Sequence, residues 1–315
     1  MNIDVLSFER LAHRVFSEVG GEHRKILEDT GKSLVLRKLA EEKKDELTLL
    51  GGSLRKLGYI SEVKSLLSEF VQYRIEPEDL TQIMEQNKSN PQLYFKLKDM
   101  KVIYESFRQY LKDTYLTAEE LLKALEDTVE QSRSVRNSVI VLDGYHGFTP
   151  IQLGLIGRLL TLTDELYVTM TLDHREEPFQ MEAEHQLFYA TKKTIQDLKK
   201  VAEQTGVEIR KPIMLGKDKI WRYKDAPALR FLEEHIYRYS RRFWNEETDA
   251  VTLFAARTPR SEVECISREI LKLVRDEKFR YREMAVVTGD LDTYGPLFEQ
   301  TFARLGIPGF MDAKR

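Results

Sequence analysis

The stretch from Ser138 to Gln152 constrains the fold of this chain more than any other. Val139, Ile140, Val141 and Leu142 make a short, unbroken apolar run that ends on Asp143. A turn of Gly144, Tyr145, His146, Gly147 and Phe148 follows, and Pro150 opens an apolar segment of helical length. An apolar run of strand length, bounded by turn residues and followed by a helix, has the form of a buried parallel strand. In open α/β sheets the carboxyl ends of such strands carry the ligand site. The expectation is a buried strand over 139–142 with a site at Asp143.

The chain beyond this point repeats the alternation. Strands are expected at Leu166–Leu172, ending at Asp173, at Val251–Ala256, at Met284–Val287 and from Ile307 to Met311, with a short one at 207–209. Helices are expected at Pro150–Leu162, Thr191–Gly206, Ala228–Ser240, Ser261–Glu277 and Tyr294–Leu305. Strands that alternate with helices predict a parallel α/β sheet with right-handed crossovers. Near the amino terminus, Asn2–Phe8 reads as a strand. Glu9–Val19 reads as a helix with Leu11, Ala12, Val15 and Phe16 on one face, Ser7 near its start and Gly20-Gly21 at its end. A strand needs neighbours, so further elements are expected before Met1 and after Arg315.

Between these parts, residues 24–130 read as almost entirely helical. Val63, Leu66, Leu67, Phe70 and Val71 recur at helical spacing, Pro77 sits near a helix start, and Leu93–Tyr115 reads as one long helix with Ile103, Phe107 and Tyr110 inward. Thr117-Ala118-Glu119-Glu120 is a capping box. This block reads as an all-helical insertion. The expected organisation is residues 1–23 and 133–249 as one domain, 24–132 as its insertion and 250–315 as the start of a second α/β domain.

The charge balance of 49 Lys plus Arg against 52 Asp plus Glu excludes a globally basic nucleic-acid coat but permits a basic channel. No apolar run approaches the roughly 20 residues of a membrane span. No secretory pattern opens the sequence, so a cytoplasmic location is expected. Cys265 is the only cysteine, which rules out an intrachain disulfide and an all-cysteine metal site.

A phosphate-cradling loop needs glycine five residues before the Gly-Lys pair. The nearest lookalike is Asp29-Thr30-Gly31-Lys32-Ser33, where that position is Ile26, so it reads as a helix start with a solvated Lys32. Asp143 and Asp173, each at a strand end, are either metal ligands or turn carboxylates. The six histidines show no metal-binding pairing. Asp290 and Asp292 read as loop acids. Phe8, Tyr145 and Phe148 fall where strands finish. They either pack between strand ends and helices or stack bases of a single strand, with Arg10 and Arg14 as partners. Arg238-Tyr239-Ser240-Arg241-Arg242-Phe243-Trp244 mixes arginine with aromatics and reads as a charged helix end.

Several stretches together fit one family. Asp4 to Val15 resembles the "TFH…R.L" segment of UvrD/PcrA-like superfamily 1 helicases. Ile26–Leu34 resembles the lead into their helical 1B domain. Asp143 to Gln152 aligns with their "DEYQDTN..Q" motor motif, and Ala255–Glu262, Tyr281–Val287 and Leu305–Pro308 resemble the opening of their 2A domain. In active members the aspartate of the motor motif holds magnesium and the neighbouring acid orients the attacking water. Here Gly144 stands at the acid's position, His146 and Gly147 replace the next two polar residues, and Gln152 is retained. An Asp-Gly-aromatic followed by Phe-Thr-Pro is similar to the AddB family, the B subunits of AddAB- and RexAB-type ATP-dependent helicase–nucleases.

The resemblance implies a P-loop-NTPase-like (RecA-like) α/β fold, incomplete here, with the helical 1B insertion and the start of 2A. It implies double-strand-break repair with an AddA-type subunit as partner and single- and double-stranded DNA as ligand. This chain would scan a single strand for a recombination hotspot, Chi, without hydrolysing ATP. The DNA contacts it implies fall at Phe8, Arg10 and Tyr145. A fourth family contact, an aromatic, falls at His13. The family's ATP and magnesium belong to a P-loop before Met1, and its 4Fe-4S cluster to a nuclease region after Arg315. No cofactor is expected in this chain. The competing readings are a scaffold for the motor subunit and a truncated active helicase, which Gly144 opposes.

Overall fold

A computed structural model describes residues 3–20, 22–52, 56–215 and 221–312. The chain divides into two compact units, Met1–Lys219 and Ile220–Arg315.

In the first unit, α1 (Phe8–Val19) is capped by the Ser7 hydroxyl, which accepts from the Arg10 amide, and ends at Gly20 with φ 76°. Its buried residues are Ala12, Val15 and Phe16, as the apolar spacing predicts. The segment before it is not a strand over its described residues. Ile3 and Val5 stand 75% and 87% exposed, with no ladder partner, and Ser7 turns the extended backbone into the helix. An alternating pattern becomes a strand only where a second backbone takes up its hydrogen bonds.

The stretch read as helical is helical: α2 (Asp29–Glu42), α3 (Leu57–Gln72), α4 (Pro77–Gln86) and α5 (Pro91–Leu111). They enclose a core of Leu36, Leu39, Ile60, Leu67, Phe70, Leu80, Ile103, Phe107 and Leu111. Two features depart from the sequence reading. The long helix stops at Leu111 with Tyr110 exposed, because the chain turns to pair β2 (Tyr115–Leu116) in parallel with β1 (Lys25–Ile26). Lys32 is not solvated: it is 4% exposed, and its Nζ donates to Glu119 at 3.2 Å and lies 3.6 Å from Asp29. The desolvation of that ammonium is offset by a carboxylate 87 residues away. Asp99, fully buried on α5, accepts from the amides of Thr48, Leu49 and Leu50 at 2.7–2.8 Å and closes the loop that follows α2.

After α6 (Ala118–Thr128), opened by the expected Thr117–Glu120 capping box, the chain reaches β3 (Val139–Leu142), α7 (Pro150–Leu162) and β4 (Glu165–Val168). β3 and β4 pair in parallel, Val139 with Glu165 through Leu142 with Val168. A second core gathers α1, α6 and α7 through Ala12, Val15, Leu121, Leu125, Leu155 and Leu159, with Ile140 and Leu166 packed against it. This corrects the two-sided burial expected of β3. Ile140 and Leu142 face cover, while Val139 and Val141 are each 58% exposed. β4 ends at Val168 rather than Leu172, because β3 offers four residues to pair with. Residues 207–209 form no strand; they follow α8 (Tyr189–Thr205) and its Gly206 cap.

The second unit contains α9 (Pro227–His235), α10 (Pro259–Arg275) and α11 (Leu291–Leu305). Val263, Ser267 and Ile270 on α10, Phe298 and Thr301 on α11, and Ile307 are buried. The expected helix to Ser240 ends at His235, shortly before Tyr237 takes φ 59°. The expected strands at 251–256, 284–287 and 307–311 carry no ladder over their described residues, and Leu253, Val287 and Phe310 are more than 90% exposed. Asp290 caps α11 by accepting from the Thr293 amide, so it is not a free loop acid. The described residues are mostly helical with two small parallel sheets, a composition compatible with an α/β fold. Among them no helix is long and apolar enough to cross a membrane.

Candidate nucleic-acid interface

The turn after β3 is built by hydrogen bonds that reach well beyond its own sequence. Thr169, directly after β4, donates its amide to Leu142 O at 2.9 Å, which carries the ladder one step past the strand. Its hydroxyl donates to Asp143 Oδ1 and accepts from the Gly144 amide at 3.1 Å. Gly144 has φ 75°, a left-handed backbone that L side chains adopt at a cost. Asp143 is therefore a turn carboxylate bound to Thr169. On the far side, Thr194 of α8 places its hydroxyl 3.2 Å from the His146 carbonyl. The Thr149 amide donates to Gln152 Oε1 at 2.9 Å, which makes Gln152 a capping residue of α7.

This anchored turn presents two rings, and α1 supplies a third. Tyr145 and Phe148 stack with centroids 4.9 Å apart and planes at 27°. Phe8, the first residue of α1, lies 5.7 Å from Tyr145 at 51°. All three are partly buried, and burial raises the Tyr145 hydroxyl pKa, so the ring stays neutral and usable as a donor. Arg10 and His13 are exposed on α1, with His13 Nε2 4.0 Å from Glu9. Two helical positions set Arg10 about 200° around the axis from Phe8. Arg14 pairs with Asp4 at 2.5 Å. The structure thus brings Phe8, Tyr145 and Phe148 together and sets Arg10 and His13 on other faces of the same helix.

Three positioning groups escaped the sequence reading. Glu18, near the end of α1, accepts from the Ser132 and Ser134 hydroxyls at 2.7 Å and from the Arg133 amide at 2.6 Å. These donors, the two serine hydroxyls foremost, hold its carboxyl down at about 2. The Glu18 bonds tie α1, and with it Phe8, to the segment that enters β3. Lys192 on α8, 1% exposed, donates to Glu176 at 2.8 Å and Glu182 at 2.6 Å, pinning the segment that joins β4 to α8. Thr169 is the third. Each contact spans chain that no local motif reports. Asp173, whose side chain is 6% exposed, is held by the Arg175 guanidinium at 2.6 Å, so it is spent on its own turn.

The nucleotide-loop lookalike also finds a structural use. Asp29–Ser33 lies in the first turns of α2, where Lys32 is committed to Glu119. A loop that cradles phosphates offers free backbone amides, whereas the Lys32 amide here donates to Glu28 O at 2.9 Å. Among the described residues no group of three or more His, Cys, Asp or Glu side chains is placed to hold a metal ion.

The chain is similar in sequence to known proteins along its whole length. The chain is 38% identical over 317 aligned positions to the B subunit of the ATP-dependent helicase/deoxyribonuclease of Lachnoclostridium phytofermentans, covering all of this chain and 28% of that protein. It is 36% identical to the protein of the same name from Caldanaerobacter subterraneus, again across the whole chain and 27% of the relative. That of Desulforamulus reducens is 33% identical, with 99% of this chain and 27% of the relative covered. The chain therefore spans little more than a quarter of the length of these relatives. The family model described as "ADDB, N-terminal" matches residues 1–233, and the chain belongs to that family.

Proposed function

We propose that this chain is a helicase-like, non-catalytic part of the B subunit of an ATP-dependent helicase–nuclease, working in recombinational repair of double-strand breaks. Its residues 1–23 and 133–249 form part of a RecA-like domain 1A, 24–132 its 1B insertion and 250–315 the start of 2A. Its task is to bind a single DNA strand and scan it for a hotspot sequence. An AddA-type subunit supplies the motor, and the nucleotide, magnesium and iron–sulfur chemistry lies outside this chain. The relatives' name supports the setting.

The observation that carries the DNA reading is the convergence of Phe8, Tyr145 and Phe148. Two segments far apart in sequence are pinned, by Glu18 on one side and by Thr169 and Thr194 on the other, so that their rings meet. A base stacks on such a platform regardless of its identity, because every base has a π face. Arg10 and His13, exposed on other faces of α1, are the candidate phosphate contacts outside this platform. The absence of hydrolysis rests on Gly144, whose position has no carboxylate to orient water, and on Asp143, which is engaged by Thr169.

Fluorescence anisotropy of a labelled oligo-dT strand tests this. Tyr145→Ala weakens binding by about five-fold or more, the lower end of the stacking range. Arg10→Ala lowers the dependence of log K on log salt by about 0.7, the value of one single-strand phosphate contact. Wild-type chain that binds no strand at low salt refutes the reading and favours the scaffold. ATP turnover that disappears in Asp143→Ala refutes the non-catalytic assignment.

A further inference from the structure

The arginine-and-aromatic run after α9 is not a helix end. α9 stops at His235, and residues 236–243 leave it as an irregular loop. Both ends of this loop meet on one side chain. The His235 ring packs on Phe231 with centroids 4.4 Å apart, and the Trp244 ring packs on the same Phe231 at 5.7 Å. A short segment whose ends are clamped together in this way is presented to solvent as a unit.

The loop carries its large apolar groups outward. Tyr237 is 82% exposed, Phe243 79%, and Tyr239 is as exposed as a side chain can be. Holding them there is unfavourable for the isolated unit. Tyr237 takes φ 59°, uncommon for a bulky residue, and the Trp244 indole N–H is buried with no acceptor among the described residues. Strain of this kind concentrates at surfaces kept for a ligand. The composition says which ligand. Arg241 and Arg242 are exposed between Tyr239 and Phe243, and Arg238 precedes them. Separate rings interleaved with guanidinium groups match alternating bases and phosphates, while a protein-docking patch gathers contiguous apolar surface. The acids Glu246, Glu247 and Asp249 come only after Trp244, which leaves the 238–242 stretch positively charged.

We propose that the 236–243 loop is a second single-strand contact, with Tyr239 and Phe243 stacking on bases and Arg241 and Arg242 engaging the phosphates between them. The inference rests on the proposed single-strand binding of this chain but uses none of the residues that carry it.

The test measures binding of labelled oligo-dT by the full 315-residue chain across a salt series. It compares wild type with Tyr239→Ala/Phe243→Ala, Arg241→Ala/Arg242→Ala and Phe8→Ala/Tyr145→Ala. The four loop residues are exposed, and an unchanged far-UV CD spectrum confirms that their variants keep the fold. The ring variant is expected to weaken binding by about ten-fold or more, and the arginine variant to reduce the salt slope by about 1.4, two phosphate contacts. Loop variants with wild-type affinity and slope, beside a weakened Phe8/Tyr145 variant, overturn the loop site and leave the first reading standing. Loop variants that bind DNA normally but fail to associate with a motor subunit identify a protein-docking loop and likewise overturn it. Wild-type chain that binds no strand overturns both.

Discussion

Replacing Gly144 by alanine probes the turn on which the candidate site depends. Gly144 has φ 75°, and a Cβ built there meets nothing within 4 Å. Steric collision therefore contributes nothing, and the effect is one of backbone conformation. An L residue held in the left-handed region costs about 1–2 kcal/mol. Alanine also narrows the unfolded ensemble, which returns about 0.4–1 kcal/mol. The net destabilisation is about 0.5–1.5 kcal/mol. Asparagine, which tolerates left-handed backbone better than other non-glycine residues, recovers part of the loss. Urea unfolding followed by CD at 222 nm measures the change. Both tryptophans, Trp221 and Trp244, lie in the second unit, so a tryptophan fluorescence transition unaltered by the substitution serves as the internal control. Gly144→Ala as stable as wild type, or Gly144→Asn no better than alanine, refutes the claim that backbone geometry dictates glycine here. If the geometry aims Tyr145, the alanine variant also binds single strands more weakly than its residual folded fraction accounts for.

Three further substitutions address the supports of the fold. Asp99→Ala strands three amides, of which Leu50 N–H is buried; the first unit loses about 2–4 kcal/mol, and hydrogen exchange at Thr48–Leu50 accelerates. Glu18 has a folded pKa of about 2 against an ordinary 4.5, so its contribution is present in full above about 4.5 and is lost as pH falls toward 2. An acid titration of Glu18→Gln followed by CD is expected to show a shallower decline over that window than wild type. Tyr104→Phe removes the hydroxyl that donates to Ile75 O at 3.0 Å and costs about 1 kcal/mol in urea unfolding. In wild type, burial holds this phenol up near 12, and it is expected to stay protonated in a spectrophotometric titration through pH 10.

Local physics was legible wherever it was sufficient by itself. Pro150–Leu162 and Thr117–Glu120 declare their helix and cap in the sequence, and the structure places them at those residues. Gly20 ends α1 because only its own backbone has to turn. Partner choice was hidden. Val139–Leu142 and Val251–Ala256 look alike as apolar runs. One finds β4 and becomes a strand, while the other finds no ladder among the described residues and takes no regular structure. Lys32 reads as a surface lysine until Glu119 is brought beside it. Trp244 reads as the end of a charged helix until it folds back onto Phe231.

The site divides in the same way. Asp143, Gly144 and Tyr145 are visible in the sequence as a strand-end turn lacking its second acid, and Phe8 as an aromatic near a strand-like start. What the sequence alone determined is which residues end helices, which backbone must turn left-handed and which acid is absent, because these depend on neighbours along the chain. Only the tertiary structure decided that Phe8 reaches Tyr145, that Glu18 ties its helix to the approach to β3 and that Asp143 is bound by Thr169. Those contacts join segments whose separation in sequence carries no information about their distance in space.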